Sequence, residues 1–160
     1  MYAPFFEEIR VGEQAVLGSH TFTAQEIRAF AGRFDSQPFH MDEARARESL
    51  FGALCASGWH TAAICQRLAV AHRAGLVAEM ESAGRAVAEL GPSPGFRALK
   101  WLRPVYAGDT VTFSNRVIGK TELRSRPAWG LVTGLVEGRN QHGETVFSYN
   151  GELYLQRQPG

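Results

Sequence analysis

The sequence predicts an α+β fold with a largely antiparallel sheet, in one domain over residues 1–160. Two observations carry this. Helical patterns occupy the first half and consecutive strand-like runs the second, with no internal repeat of strand and helix. The helix that follows Gly58 is apolar nearly all round, through Trp59, Ala62, Ala63, Leu68, Ala69, Val70 and Ala71. Such a helix belongs inside a protein, and a small domain with one buried helix needs a sheet around it.

The elements follow in order. Gln14 to Phe22 is a strand, where Ala15, Val16 and Leu17 lead into the alternation of His20, Thr21 and Phe22. Thr23 and Glu26 have capping-box spacing. Behind them Ile27, Phe30, Ala31 and Phe34 fall at i, i+3, i+4 and i+7, the apolar stripe of a short helix. That helix must stop near Phe34, because Pro38 disfavours helical geometry at Gln37. Asp35 to Phe39 is therefore a turn. Asp42 to Ser49 is a short polar helix with Asp42 as its cap. Phe51-Gly52 is a break before the long helix, whose pattern continues through Leu76 to Met80. Gly91 to Gly95 is a loop. Strands are expected over Phe96 to Leu102, Asp109 to Gly119, Leu131 to Asn140 and Thr145 to Leu155. Turns at Pro104 to Asp109, Arg126-Pro127 and Gln141 to Gly143 separate them.

Composition bounds the function. The chain has 160 residues, 44% apolar and 21% charged, which suits a globular domain with a real core. Seventeen basic against sixteen acidic residues give a net charge of +1, and no overall pull toward nucleic acid or an anionic membrane. Met1 to Arg10 lacks the pattern of a signal peptide. The longest uncharged stretch, Leu50 to Gln66, is too short and polar for a membrane span, so a cytoplasmic protein is expected. Cys55 and Cys65 are too few for a disulfide scaffold or a thiolate metal site and are expected as buried thiols on a helix. His20, His72 and His142 are scattered, without metal-ligand spacing. Arg124 and Arg126 fit either solvated turn positions or a patch for an anionic ligand tail.

Two segments could carry chemistry. Asp35-Ser36-Gln37-Pro38-Phe39-His40 places an acid and an imidazole across a proline-containing turn. A fixed turn can aim both at one small volume, where they could share a water and move a proton near neutral pH. The plainer alternative is a helix-ending aspartate and an ordinary polar histidine. The second segment is Ala56-Ser57-Gly58-Trp59-His60, at the start of the apolar helix. The first amides of a helix lack internal partners and favour developing negative charge, and Gly58 would let a ligand approach the backbone. Tight packing alone would also select small residues there. Ser57 and His60 have no following acid to complete a nucleophile's triad.

These segments together resemble a known family. Asp35 to Asp42, then Phe51-Gly52, then Ala56-Ser57-Gly58, and farther on Leu102-Arg103-Pro104-Val105-Tyr106-Ala107-Gly108-Asp109-Thr110, are similar to the composite pattern of MaoC-like acyl-CoA dehydratases, close to the (R)-specific enoyl-CoA hydratases. The matching order runs from about Gln14 to Leu155. The resemblance implies a hot-dog fold, an antiparallel sheet curled around a long central helix, and a homodimer or a dimer of dimers. It implies reversible addition of water to a 2-enoyl thioester, with Asp35 and His40 as the catalytic pair and the Gly58 amide as the oxyanion hole. Gln37, Pro38, Phe39, Ser57, Trp59 and His60 would border the substrate. Asp35 is the favoured member of the pair for proton delivery. No metal or organic cofactor is implied, since coenzyme A belongs to the substrate. Three departures stand out: Gln37 replaces the family's Asn, Ser57 replaces its usual His, and bulky Trp59 and His60 follow. A hot-dog thioesterase using the same helix start, and a silent acyl-binding subunit, are the competing readings.

Overall fold

The computed structural model describes residues 3–159; Met1, Tyr2 and Gly160 lie outside it. Five strands, β1 (Gln14–Thr21), β2 (Gly95–Trp101), β3 (Thr110–Glu122), β4 (Trp129–Arg139) and β5 (Thr145–Gln156), form one antiparallel sheet in the order β1-β3-β4-β5-β2. Among the described residues, four α-helices, α1 (Ala24–Phe34), α2 (Pro38–Met41), α3 (Glu43–Glu48) and α4 (Gly58–Ser82), fall between β1 and β2, and a 3-10 turn at Phe6–Glu8 precedes β1. This is the expected α+β class, in the hot-dog arrangement of sheet and long helix. No helix among the described residues is long and apolar enough to cross a membrane.

Local chemistry sets the element ends. Thr23 and Glu26 form the expected capping box, with the Glu26 amide donating to Thr23 Oγ1 at 3.2 Å. Asp42 caps α3 through the Arg45 amide at 2.9 Å. The segment around Pro38 differs from the expected turn. Pro38 opens a one-turn helix that carries Phe39 and His40. The first helical position needs no amide, and proline's fixed φ suits it, so Pro38 ends one helix and starts the next.

The concave face of the sheet packs on one side of α4. Leu17, Phe22, Val111, Phe113, Val136 and Phe147 meet Ile64, Cys65 and Ala69 in the main core. A second cluster gathers Phe6, Ile9, Ala88, Val117, Val132 and Leu155. The helix is flanked rather than enclosed: Val70 is 59% exposed and Trp59 56%. The all-round apolar pattern predicted full burial, but an open sheet covers one side only. The cysteine expectation is corrected in part. Both thiols are free and buried, but only Cys65 is on a helix; Cys55 pairs with Tyr106 in an isolated bridge before α4. Burial pushes Cys55 up to about 11 and Cys65 to about 12, so both are poor nucleophiles.

The inward register of β4 alternates small and branched residues: Gly130, Val132, Gly134, Val136 and Gly138 are all buried. Aromatic rings use the room at two of these glycines. Phe6 lies against Gly130 and Phe113 against Gly138. Gly134 pairs instead with Gly151 of β5, and both line a cavity of about 400 Å3 between α4 and the sheet.

Candidate active site

The end of α1, the single turn of α2 and the start of α4 converge. Asp35 caps the C-terminus of α1, its amide bonded to the Ala31 carbonyl at 2.9 Å. His40 projects from α2 and is 5% exposed. The His40 Nε2 and Asp35 Oδ2 atoms are 3.5 Å apart. The sequence spacing of these two residues thus becomes a spatial pair.

The remaining bonds orient the pair and set its electrostatics. His40 Nδ1 lies 2.7 Å from the Cys55 carbonyl oxygen. A carbonyl only accepts, so Nδ1 is the donor of this bond, and Nε2 is the nitrogen that faces Asp35. Around Asp35, burial opposes ionisation. Hydrogen bonds from Ser57 and Gln37, and the nearby His40, outweigh it and hold the carboxyl below its usual range. Gln37 Nε2 donates to Asp35 Oδ1 at 2.7 Å. The gap between Nε2 and the carboxylate is a seat for a water held by both groups, or for one shared proton.

Ser57 ties the pair to α4. Its hydroxyl donates to Asp35 and accepts from the Trp59 amide at 3.2 Å, as the helix cap. The Gly58 amide finds no acceptor among the described residues. Gly58 must be glycine for a steric reason: a Cβ there would meet Trp101 Nε1 at 2.5 Å. Trp101, on β2, also meets Trp59 edge-on at 5.1 Å. The strand bearing Trp101 has a register shift between Arg97 and Lys100, with Ala98 at φ 52°.

The Pro104 to Asp109 segment acts as a splint. The Ala56 amide donates to the Val105 carbonyl at 2.7 Å, the Ala107 amide to the Leu54 carbonyl at 3.0 Å, and the Tyr106 hydroxyl to the Phe51 carbonyl at 2.9 Å. These bonds fix the chain that presents the Cys55 carbonyl to His40.

The other expected site residues divide. Gln37 and Ser57 contact Asp35 directly. Pro38 starts α2, and Phe39 packs edge-on against His40 at 4.6 Å and beside Phe51 at 4.8 Å. Trp59 lines the cavity, whose wall also includes Ala62, Gln66, Leu99, Phe147 and Tyr149. His60 lies in an aromatic layer, stacked on Phe30 at 4.6 Å and edge-on to Phe22 at 5.2 Å. Sequence reasoning missed the Cys55 carbonyl, a backbone atom with no residue signature, and Trp101, which resembles any apolar strand residue. Among the described residues no group of three or more His, Cys, Asp or Glu is placed to hold a metal ion.

The MaoC-like domain family matches residues 9–137, which span the pair, the helix start and the splint. This chain belongs to that family. The MaoC-like domain is 32% identical over 123 residues to the (R)-specific enoyl-CoA hydratase of Rhodospirillum rubrum, covering 72% of this chain and 70% of that protein. It is 45% identical over 64 residues to the mesaconyl-CoA hydratase of Cereibacter sphaeroides, covering 40% of this chain and only 17% of that protein. The crystal structure of a MaoC-like dehydratase from Rhodospirillum rubrum aligns with a TM-score of 0.81 at 36% identity, over 98% of this chain and 99% of the other.

Proposed function

We propose that this MaoC-like domain is a hydratase that adds water reversibly across the double bond of a 2-enoyl-CoA. The observation that carries the reading is the placing of His40: Nδ1 lies 2.7 Å from the Cys55 carbonyl, which leaves Nε2 and Asp35 Oδ2 facing each other 3.5 Å apart. A water seated between them would be polarised by both. Its oxygen adds to C3 of the enoyl group while one proton passes to the pair. Electron density moves to the thioester oxygen, where the unpartnered Gly58 amide at the positive end of α4 would stabilise the enolate. The pair then returns its proton to C2, and Asp35 is the favoured donor. In this scheme the Asp35/His40 pair moves the proton and the Gly58 amide takes the developing charge, so it includes no metal or organic cofactor. Hydratase relatives support the reading. Pro38, Phe39 and Trp59 would border the reacting end of the substrate, with His60 behind them.

The cavity beside Trp59 would receive the acyl chain. The active unit is proposed as a homodimer. The edge strand β2 and the residue that follows it leave Phe96 57%, Trp101 44% and Leu102 51% exposed, an apolar edge for a second copy to pair.

The test follows enoyl-thioester ultraviolet absorbance and free thiol together, with purified protein and 2-enoyl-CoAs of increasing length. Falling absorbance without thiol is the expected result. Thiol release would identify a thioesterase instead, and silence in both channels across all lengths would favour an acyl-binding subunit.

A further inference from the structure

The cavity wall holds a cation that the proposed hydration does not use. Trp59, Ala62, Gln66, Ala69, Val70 and Arg73 recur at helical spacing on α4 and form one side of the cavity. At 1.5 Å per residue, Arg73 lies about 21 Å along the helix from Trp59. The cavity therefore runs from the neighbourhood of the Gly58 amide toward Arg73, between walls that are mainly apolar.

Arg73 is short of acceptors. Nη2 donates to the Ala88 carbonyl at 2.9 Å. Nη1 is buried and has no hydrogen-bond partner among the described residues. Burial disfavours its charge, and no acidic partner of its guanidinium is found among the described residues. Glu152, on the same cavity wall, pairs with Arg97 at 3.6 Å. A guanidinium does not lose its proton under ordinary conditions. A partly buried cation with an unfilled donor is costly unless an anion joins it.

We propose that the Arg73 end of the cavity is a carboxylate subsite, and that the acyl chain accommodated here is long and carries a carboxylate at the end remote from the thioester. The carboxylate accepts from the guanidinium donors that Ala88 leaves free, and the apolar walls take the methylenes between. The placement of the thioester end rests on the hydratase reading; the subsite itself is a statement about binding.

The experiment therefore reads binding without turnover. Saturated dodecanedioyl-CoA and dodecanoyl-CoA differ only in a terminal carboxyl against a methyl, and neither can be hydrated. Their affinities are measured by the fluorescence of Trp59 and its neighbours, with free thiol monitored. The expected result is dodecanedioyl-CoA binding about tenfold or more tightly, the range of a hydrogen bond to a charged group. Arg73→Met should close that gap and Arg73→Lys should keep part of it. Equal affinities in the unaltered protein, or a preference that survives in Arg73→Met, would overturn the subsite. Circular dichroism checks the fold of each variant; if Arg73→Met does not fold, the unaltered protein and Arg73→Lys decide. Failure to hydrate 2-enoyl-CoAs of every length tried would remove the hydratase reading and leave this binding comparison intact.

Discussion

His40 and His60 are equally hidden, each 5% exposed, yet their surroundings are opposite. His40 has a carbonyl on one nitrogen and faces a carboxylate with the other. His60 is stacked on Phe30, and its Nδ1 has no hydrogen-bond partner among the described residues. Burial pushes His60 down to about 4, and nearby His20 and Arg67 add to this while Glu26 opposes it. Burial alone does not make a catalytic histidine; fixed polar partners on both nitrogens do, because they choose the tautomer and aim the lone pair.

The largest expected effect breaks the His40 side of this contrast. Asp35→Asn and His40→Ala should each lower kcat/KM for a 2-enoyl-CoA by about 10²–10⁴-fold, the usual contribution of a positioned acid or base. Thermal melting should show both variants folded. A variant that turns over at the unaltered rate would remove its residue from the catalytic pair.

The next effect concerns stability and sharpens the contrast from the His60 side. His60 has a folded pKa near 4 against an ordinary value of 6.5. Between those values the unfolded chain binds a proton that the folded chain does not, so stability falls as pH drops from 6.5 toward 4. The expected loss is about 3 kcal/mol. His60→Phe can keep a ring on Phe30 and should flatten this acid slope in urea unfolding, while kcat/KM stays within a few-fold. An unchanged slope would show that His60 does not govern acid stability.

The smallest effect lies between the two histidines, at Ser57. Ser57→Ala removes a donor to Asp35 and the cap of α4. Loss of the cap should cost about 1 kcal/mol. Loss of the donor should let the Asp35 pKa rise, moving the acid limb of kcat/KM to higher pH. The sign follows from Asp35: its lowered folded pKa stabilises the chain above the usual carboxylate range, and this is lost as pH falls through the folded value. An acid limb that stays in place would assign the ionisation to another group.

Sequence made one half of this contrast legible and hid the other. The proline between Asp35 and His40 marks the end of α1, and the two residues do meet, through the one-turn helix α2 rather than the expected turn. Capping residues at Thr23 and Asp42 likewise located helix starts, because capping is a local interaction. The sequence places His60 beside Gly58 but does not say which way it points. Its direction depends on which side of α4 meets Phe22 and Phe30, a long-range fact. The Cys55 carbonyl was invisible because any residue type supplies one. The cavity was hidden as well, since Gly134 and Gly151 become neighbours only through the β4–β5 register.

Trp101 carries a kinetic consequence. It belongs to an edge strand, yet its indole sets how closely the start of α4 approaches that edge. A second copy pairing with β2 would brace the ring, and with it the amide proposed to hold the enolate. Specific activity should then fall on dilution as dimers separate, and saturating substrate should slow the fall by mass action. Turnover per chain that holds constant through dissociation would uncouple the ring from assembly.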